Sequence, residues 1–281
     1  MLLFLNMNRK KKKILCVVAL GIFVSLGAYV DSKTGSSAKP EIRSASIQEN
    51  QIVAENPSGE KIPENAAISA VEKKYAIDAN YDVVPLDPNG NKKIVLLTMD
   101  DGPKNAKTLR PILATLKEKD VHLIFFVLGN FIKAHPELLK EMNDAGHTIG
   151  NHTWDHANLK KLEDAKGQKA LDDTTAIIES TLGFSSQFFR PPYGTSTPFI
   201  RNYAKDKKML FMNWSQGGED WIKKYETADA LMRHVIEQLH PGANILIHEL
   251  PWTEGALSGI IDGIREKGYE IIDPKEIETL E

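Results

Sequence analysis

The 281-residue chain holds a single cysteine, Cys16. One thiol excludes an intramolecular disulfide and a cysteine metal cluster. Excess basic charge is missing too. Lys and Arg number 35 against 38 Asp and Glu, for a formal net charge of −3. A nucleic-acid binder usually presents a basic face, so nucleic acid is not an expected partner. No internal repeat is visible, and the apolar run at 14–30 falls a little short of the roughly 20 residues of a membrane span. Composition is otherwise that of a globular protein, 42% hydrophobic and 26% charged. The length allows one or two domains.

The N-terminus reads as a targeting segment. Arg9 and Lys10 to Lys13 form a positive cluster, and residues 14–30 carry no charge until Asp31. That is the order of a secretory signal peptide or a membrane anchor. Ser25-Leu26-Gly27-Ala28 offers small residues for cleavage after Ala28, but the match to A-x-A is poor, so cleavage and retention both stay open. Cys16 lies at the start of the apolar run, behind Ile14 and Leu15, where a lipidated cysteine would follow it. Five positive charges on the cytoplasmic side put the rest of the chain outside, secreted or held at the cell wall by the membrane. Loss of residues 1–30 would take the net charge from −3 to about −8.

Residues 31–91 are polar and read as a spacer, with linker-like stretches at Ser36-Ser37-Ala38-Lys39-Pro40 and Glu55-Asn56-Pro57-Ser58-Gly59. Within it, 66–74 suits a short helix and 81–86 an edge strand or packing strap. Residues 92–281 have a different texture, in which apolar runs of strand length alternate with amphipathic runs of helix length. Strands are expected at 94–99, 121–128, 147–150, 187–189, 209–214, 244–248 and 270–272. Helices are expected at 106–117, 136–145, 163–182, 197–206, 226–239 and 256–267. Repeated strand–helix units imply parallel strands with helices outside. Seven strands, give or take one, point to an α/β fold of the deformed (β/α)7 barrel kind, with a doubly wound open sheet as the alternative. Both folds carry their active sites at the C-terminal ends of the strands.

The unusual polar clusters fall just past those strands. Asp100-Asp101 follows the first, and Asn151-His152-Thr153-Trp154-Asp155-His156 the third. Arg190-Pro191-Pro192-Tyr193-Gly194 follows the fourth, Trp214 to Trp221 the fifth, and Leu246-Ile247-His248 ends the sixth. Two adjacent carboxylates at the end of a buried strand repel each other and need a cation or a shared proton. Asp-Asp-Gly alone is also an ordinary turn, and His-x-x-x-His alone is common by chance. In company they read differently. Histidines four apart can aim two imidazoles at one point, and two His with one carboxylate make a common catalytic zinc set. His122, His135, His234 and His240 have no such company and read as surface or packing residues.

Taken together, Thr98-Met99-Asp100-Asp101-Gly102-Pro103, His152-Thr153-x-x-His156, Arg190-x-Pro192-Tyr193-Gly194, Asp220-Trp221 and Leu246-x-His248 resemble the five motifs of the NodB-type polysaccharide deacetylases, carbohydrate esterase family 4, over about 94–272. The resemblance implies a deformed barrel and metal-dependent removal of acetyl groups from polysaccharides. It implies that Asp101, His152 and His156 hold one divalent ion, zinc first and cobalt, nickel or iron as alternatives. It makes Asp100 the general base, Arg190 its partner, and His248 the acid that protonates the leaving amine. Tyr193 would stabilise the oxyanion through its backbone N–H, and Leu246 and Trp221 would line the acetyl pocket.

Two positions depart from the family pattern. Met99 replaces an aromatic residue, a core change of similar volume. Gly217 replaces the leading acid of the fourth motif, so His248 is expected to lose an orienting partner unless Glu219 or Asp220 substitutes. The leading expectation is a monomeric, exported deacetylase acting on N-acetylglucosamine of peptidoglycan, with chitooligosaccharide or acetylated xylan as other substrates. A glycan-binding pseudoenzyme, motivated by Gly217, and a membrane-tethered structural protein are the alternatives.

Overall fold

The computed structural model describes residues 71–280. The signal or anchor at 1–30 and the first part, 31–70, of the spacer expected at 31–91 lie outside the described residues, and none of the described helices is long and apolar enough to cross a membrane. Of the helix expected at 66–74, only 71–74 are described, and they are not helical.

Two short strands, β1 (Tyr75–Ile77) and β2 (Val83–Pro85), pair antiparallel within the stretch read as spacer. The chain then runs β3 (Ile94–Gly102), α1 (Ala106–Glu118), β4 (Ile124–Val127), α2 (Gly129–Ala134), α3 (Pro136–Asp144), β5 (Thr148–Asn151), α4 (Asp164–Leu182), β6 (Phe188–Phe189), α5 (Pro198–Asp206), β7 (Leu210–Phe211), β8 (Gln216–Gly217), α6 (Ala228–Glu237), β9 (Ala243–His248), α7 (Pro251–Glu266) and β10 (Glu270–Ile271). The strands from β3 onward form one parallel sheet in the order β7-β6-β5-β4-β3-β9-β8, with β10 beside the start of β3. Its two end strands are consecutive in the chain, so the sheet is a curled half-barrel. No ladder joins β7 to β8. Instead Asn244 Nδ2 donates to the Asn213 carbonyl and the Ser215 N–H to the Asn244 carbonyl, tying that segment to β9. This is the deformed barrel expected from the sequence.

β3 is central because its apolar run is buried on both sides, as a strand of a covered parallel sheet must be. Period two sorts its residues. Val95, Leu97 and Met99 face the helices and pack with Leu109, Ile112 and Leu116 of α1 and with Leu257, Ile260 and Ile261 of α7. Ile94 and Leu96 face the barrel interior with Ile124, Phe126, Phe188, Tyr75 and Val83. The β1–β2 pair therefore contributes to the interior core. Met99 lies wholly buried on the helix side, the core position its replacement of an aromatic implied. The interior alternation continues from Leu96 to Thr98 and Asp100, and in β9 from Asn244 to Leu246 and His248. The core pattern itself thus aims these polar groups at one end of the barrel.

Two elements carry no strong sequence signal. α2 spans six residues, below the length at which periodicity is readable, and β8 is Gln216-Gly217, with no apolar run. The expected strand at 209–214 shortens to Leu210–Phe211 because the chain turns away at Asn213 to serve the site.

Candidate active site

Neighbouring residues of a strand point to opposite faces, so Asp100 and Asp101 should not meet. They meet because the β3–β4 register slips: Asp100 pairs with Phe126 and Gly102 with Val127, leaving Asp101 bulged. Its φ of +70° places it in the left-handed region. A bulge re-aims a side chain, here turning Asp101 to the same side as Asp100.

Past β5, an irregular loop supplies the histidines. Thr153 and His156 take φ of +72° and +61°. The Asn151 side chain accepts from the Thr153 N–H at 2.8 Å, and the Gly129 and Asn130 N–H groups at the start of α2 donate to the Thr153 and Trp154 carbonyls. So held, His152 Nε2 and His156 Nε2 stand 3.6 and 3.4 Å from Asp101 Oδ1. His152 Nδ1 lies 2.7 Å from the Arg190 carbonyl. A carbonyl only accepts, so Nδ1 carries the hydrogen and Nε2 turns a lone pair toward Asp101. Burial pulls His152 below its ordinary pKa, outweighing Asp100 and Asp101, which favours that neutral form.

Asp101 Oδ1 is buried and has no hydrogen-bond partner, although two imidazole nitrogens face it. Burial raises the Asp101 carboxyl, but His152, His248, His156 and Lys104 outweigh burial and hold it below its ordinary value. An ionised, orphaned oxygen with two imidazole Nε2 atoms close by is the environment a divalent cation satisfies. The three ligand atoms lie within 4.8 Å of one another, and this donor set suits zinc or another borderline ion.

Asp100 is held from the other side. Arg190, wholly buried, donates from Nη1 to Asp100 Oδ1 at 2.7 Å and to Thr98 Oγ1 at 2.8 Å, and from Nη2 to the Asn213 carbonyl at 2.9 Å. Its guanidinium rests 4.1 Å from the centre of the Phe126 ring. That ring lies flat because residue 150 is glycine, where a Cβ would fall 2.4 Å from Phe126 Cδ1.

His248 faces the pair from the end of β9. Asp220 Oδ1 lies 2.7 Å from His248 Nδ1, while Oδ2 accepts from the His248 N–H at 2.6 Å and from Thr253 Oγ1 at 3.0 Å. Burial lowers the imidazole pKa, but the Asp220 hydrogen bond and charge, with Asp100 and Asp101 behind, carry it above its ordinary value. The expected loss of an orienting partner through Gly217 is therefore corrected. Asp220 is that partner, and Glu219, at φ +53°, turns away to His234 at 3.1 Å.

A cavity of about 460 Å³ opens over these groups. Leu246, Trp214 and Leu250 supply apolar lining, and Tyr193 and Trp221 flank the mouth at 61% and 50% exposure. Tyr193 sits at φ +59° with its ring 4.7 Å from that of His156, and the Trp221 ring stands edge-on to His248. Every site residue expected from the sequence thus reaches one cavity or directly supports it.

Several contributors were not anticipated. Thr98, quoted in the first motif but given no role, and Asn244 sit on the inner faces of β3 and β9, two and four residues before Asp100 and His248, where strand alternation points to both. Lys104 Nζ lies 3.7 Å from Asp101 Oδ2. Glu249, one residue past His248, is buried at 2% exposure, and burial pushes its carboxyl up to about 7 against the N–H bonds from Lys104 and Asn105.

A parallel half-barrel carries at its C-terminal rim a His-His-Asp cluster that could hold a metal ion, a clamped second carboxylate and a carboxylate-paired histidine, the arrangement of a candidate hydrolase site. The family model for polysaccharide deacetylases matches residues 87–212. Among curated relatives, the peptidoglycan-N-acetylmuramic acid deacetylase PdaC of Bacillus subtilis is 35% identical over 196 residues, 69% of this chain and 40% of that protein. Its solved structure superposes with a TM-score of 0.61 over 66% of this chain and 90% of that one, at 34% identity. A peptidoglycan-N-acetylglucosamine deacetylase of Bacillus cereus is 34% identical over 62% of each chain. BA3943, a CE4 family pseudoenzyme from Bacillus anthracis, superposes at TM-score 0.62 and 31% identity over 67% of each chain. The chain belongs to the NodB-type polysaccharide deacetylases of carbohydrate esterase family 4. It spans 40 to 62% of the length of the two curated relatives.

Proposed function

We propose that this protein is a metal-dependent hydrolase that removes N-acetyl groups from cell-wall polysaccharide, N-acetylglucosamine of peptidoglycan first among them, outside the cytoplasm. The observation that carries the reading is the convergence of His152 and His156 on the orphaned Asp101 Oδ1, with Asp100 and His248 beside it. The names of the relatives support a glycan of the cell wall, and the N-terminal charge pattern supports export.

Asp101, His152 and His156 would hold the ion. When bound, it supplies Lewis-acid polarisation of the acetyl carbonyl and makes water a nucleophile near neutral pH. Asp100 takes the proton from the attacking water. Arg190 keeps that carboxylate oriented through one oxygen, while the other, Oδ2, faces His152 Nε2 at 3.6 Å. The Tyr193 backbone N–H, in its left-handed conformation at the mouth, helps stabilise the oxyanion. His248, charged with the help of Asp220, gives its Nε2 proton to the departing amine, which would otherwise leave as a poor leaving group. Leu246 and Trp221 seat the acetyl methyl group.

The pseudoenzyme reading was motivated by Gly217; the Asp220–His248 pair supports activity instead, while the likeness to the pseudoenzyme BA3943 keeps the alternative as an outcome of the test. The test is acetate release by the full chain from peptidoglycan, N-acetylglucosamine oligomers, chitooligosaccharide and acetylated xylan, with zinc and then with chelator. Chelator-sensitive acetate from peptidoglycan is expected. Glycan binding without turnover under any divalent ion would favour the pseudoenzyme and refute this reading.

A further inference from the structure

Glu249 takes no part in the steps above, yet its carboxylate is almost fully withdrawn from water. A buried charge is costly unless hydrogen-bonded, and the bonds it makes are specific. Oε1 and Oε2 both accept from the Lys104 N–H at 3.1 Å, and Oε1 accepts from the Asn105 N–H at 3.3 Å. These two N–H groups belong to the loop that leaves β3 after Gly102, one residue past Asp101. Asn105 also caps α1, so the carboxylate meets a helix N-terminus, where negative charge is favoured. The Glu249 N–H in turn donates to the Asp100 carbonyl at 3.3 Å. Space for the carboxylate exists because residue 102 is glycine. A Cβ there would lie 2.7 Å from Glu249 Oε2 and 2.9 Å from Met142 Cε.

We infer that Glu249 is a positioning residue, which locks the loop following Asp101 to the strand end carrying His248 and so sets the spacing between the metal-binding carboxylate and the proton donor. The inference rests on the proposed roles of Asp101 and His248. Without the lock, Asp101 is a left-handed bulge residue near the end of β3, followed by a loop with two unsatisfied N–H groups, and its carboxylate is less firmly aimed toward His152 and His156. Groups that orient a metal ligand from behind usually govern affinity as well as rate.

Glu249→Ala removes the lock, Glu249→Gln keeps its size and one acceptor oxygen, and Gly102→Ala presses a methyl group on the carboxylate while leaving Glu249 itself in place. For each full-length variant, zinc affinity is measured by chelator competition, alongside kcat, KM and the urea midpoint. Zinc affinity is expected to fall about tenfold or more in Glu249→Ala, and less in Glu249→Gln. kcat should fall with little change in KM. Gly102→Ala should weaken zinc binding too, and by less when Glu249 is already Ala, because the two share one contact. A folded Glu249→Ala chain with wild-type zinc affinity and kcat overturns the inference. So does a lower urea midpoint with unchanged zinc affinity, the signature of a merely structural role. If Glu249→Ala fails to fold, wild-type zinc affinity in both Glu249→Gln and Gly102→Ala overturns it as well. A wild-type chain that binds no zinc instead sinks the proposed site, and this inference with it.

Discussion

Asp220→Asn is the sharpest perturbation of the proposed proton donor. Asp220 is wholly buried and gives both oxygens to holding His248, one on the ring and one on its backbone. Asn keeps the shape and loses the charge, and its amide nitrogen cannot accept from Nδ1–H or from the His248 N–H. A hydrogen bond to a charged group contributes about 1.5–3 kcal/mol, and each 1.36 kcal/mol is tenfold in the ratio of protonated to neutral imidazole. The sign follows from the shift. His248 is held above its ordinary pKa, so its acid form persists to higher pH in the wild type. Losing the Asp220 charge moves the alkaline limb of kcat to lower pH. Above that limb the rate should drop about ten- to hundredfold, and below it far less. Acetate release from N-acetylglucosamine oligomers is followed across pH for both proteins at saturating zinc. An alkaline limb that does not move, with the variant folded, refutes His248 as the acid tuned by Asp220.

The other predictions address the ion, the family departure and the core. His152→Ala or Asp101→Ala should lower zinc affinity by more than about a hundredfold, read by metal analysis after dialysis, with near-native circular dichroism. Gly217→Asp should fold and keep the wild-type rate–pH profile. A Cβ there meets only ordinary contacts at 3.6 Å with Trp214 and Trp221, and His248 already has its partner. His147 is buried, and burial, with His122 and Lys275 nearby, pulls its pKa from 6.5 to about 4. Folding therefore opposes its protonation. The stability it contributes is present above pH 6.5 and drains away as pH falls toward 4, by at most about 3 kcal/mol. Urea titrations should show that slope in the wild type, and His147→Leu should flatten it.

Much of the barrel could be read in advance because it depends on local pattern. The run from Ile94 to Met99, the alternating inner residues of β3 and β9, and the left-handed Gly183 that ends α4 all follow from neighbours in the chain. The site was legible as a set of residues but not as a geometry. Strand alternation alone sets Asp100 and Asp101 back to back, and only the long-range register with β4 creates the bulge that unites them. The spacing of His152 and His156 suggested a shared target. What delivers them is an irregular loop anchored by α2, a helix too short to announce itself. Whether Glu219 or Asp220 would serve His248 turned on a single left-handed residue, Glu219. Glu249 was unreadable because a glutamate after a strand normally belongs to the surface.

The central claim is that Asp101, His152 and His156 share one ion. A zinc-soaked crystal of the full chain, with anomalous data collected at the zinc edge, tests it most directly. The account predicts a single strong peak about 2.0–2.2 Å from Asp101 Oδ1 and from Nε2 of both histidines. Zinc found elsewhere, or bound to only one of the three at saturating concentration, would contradict it.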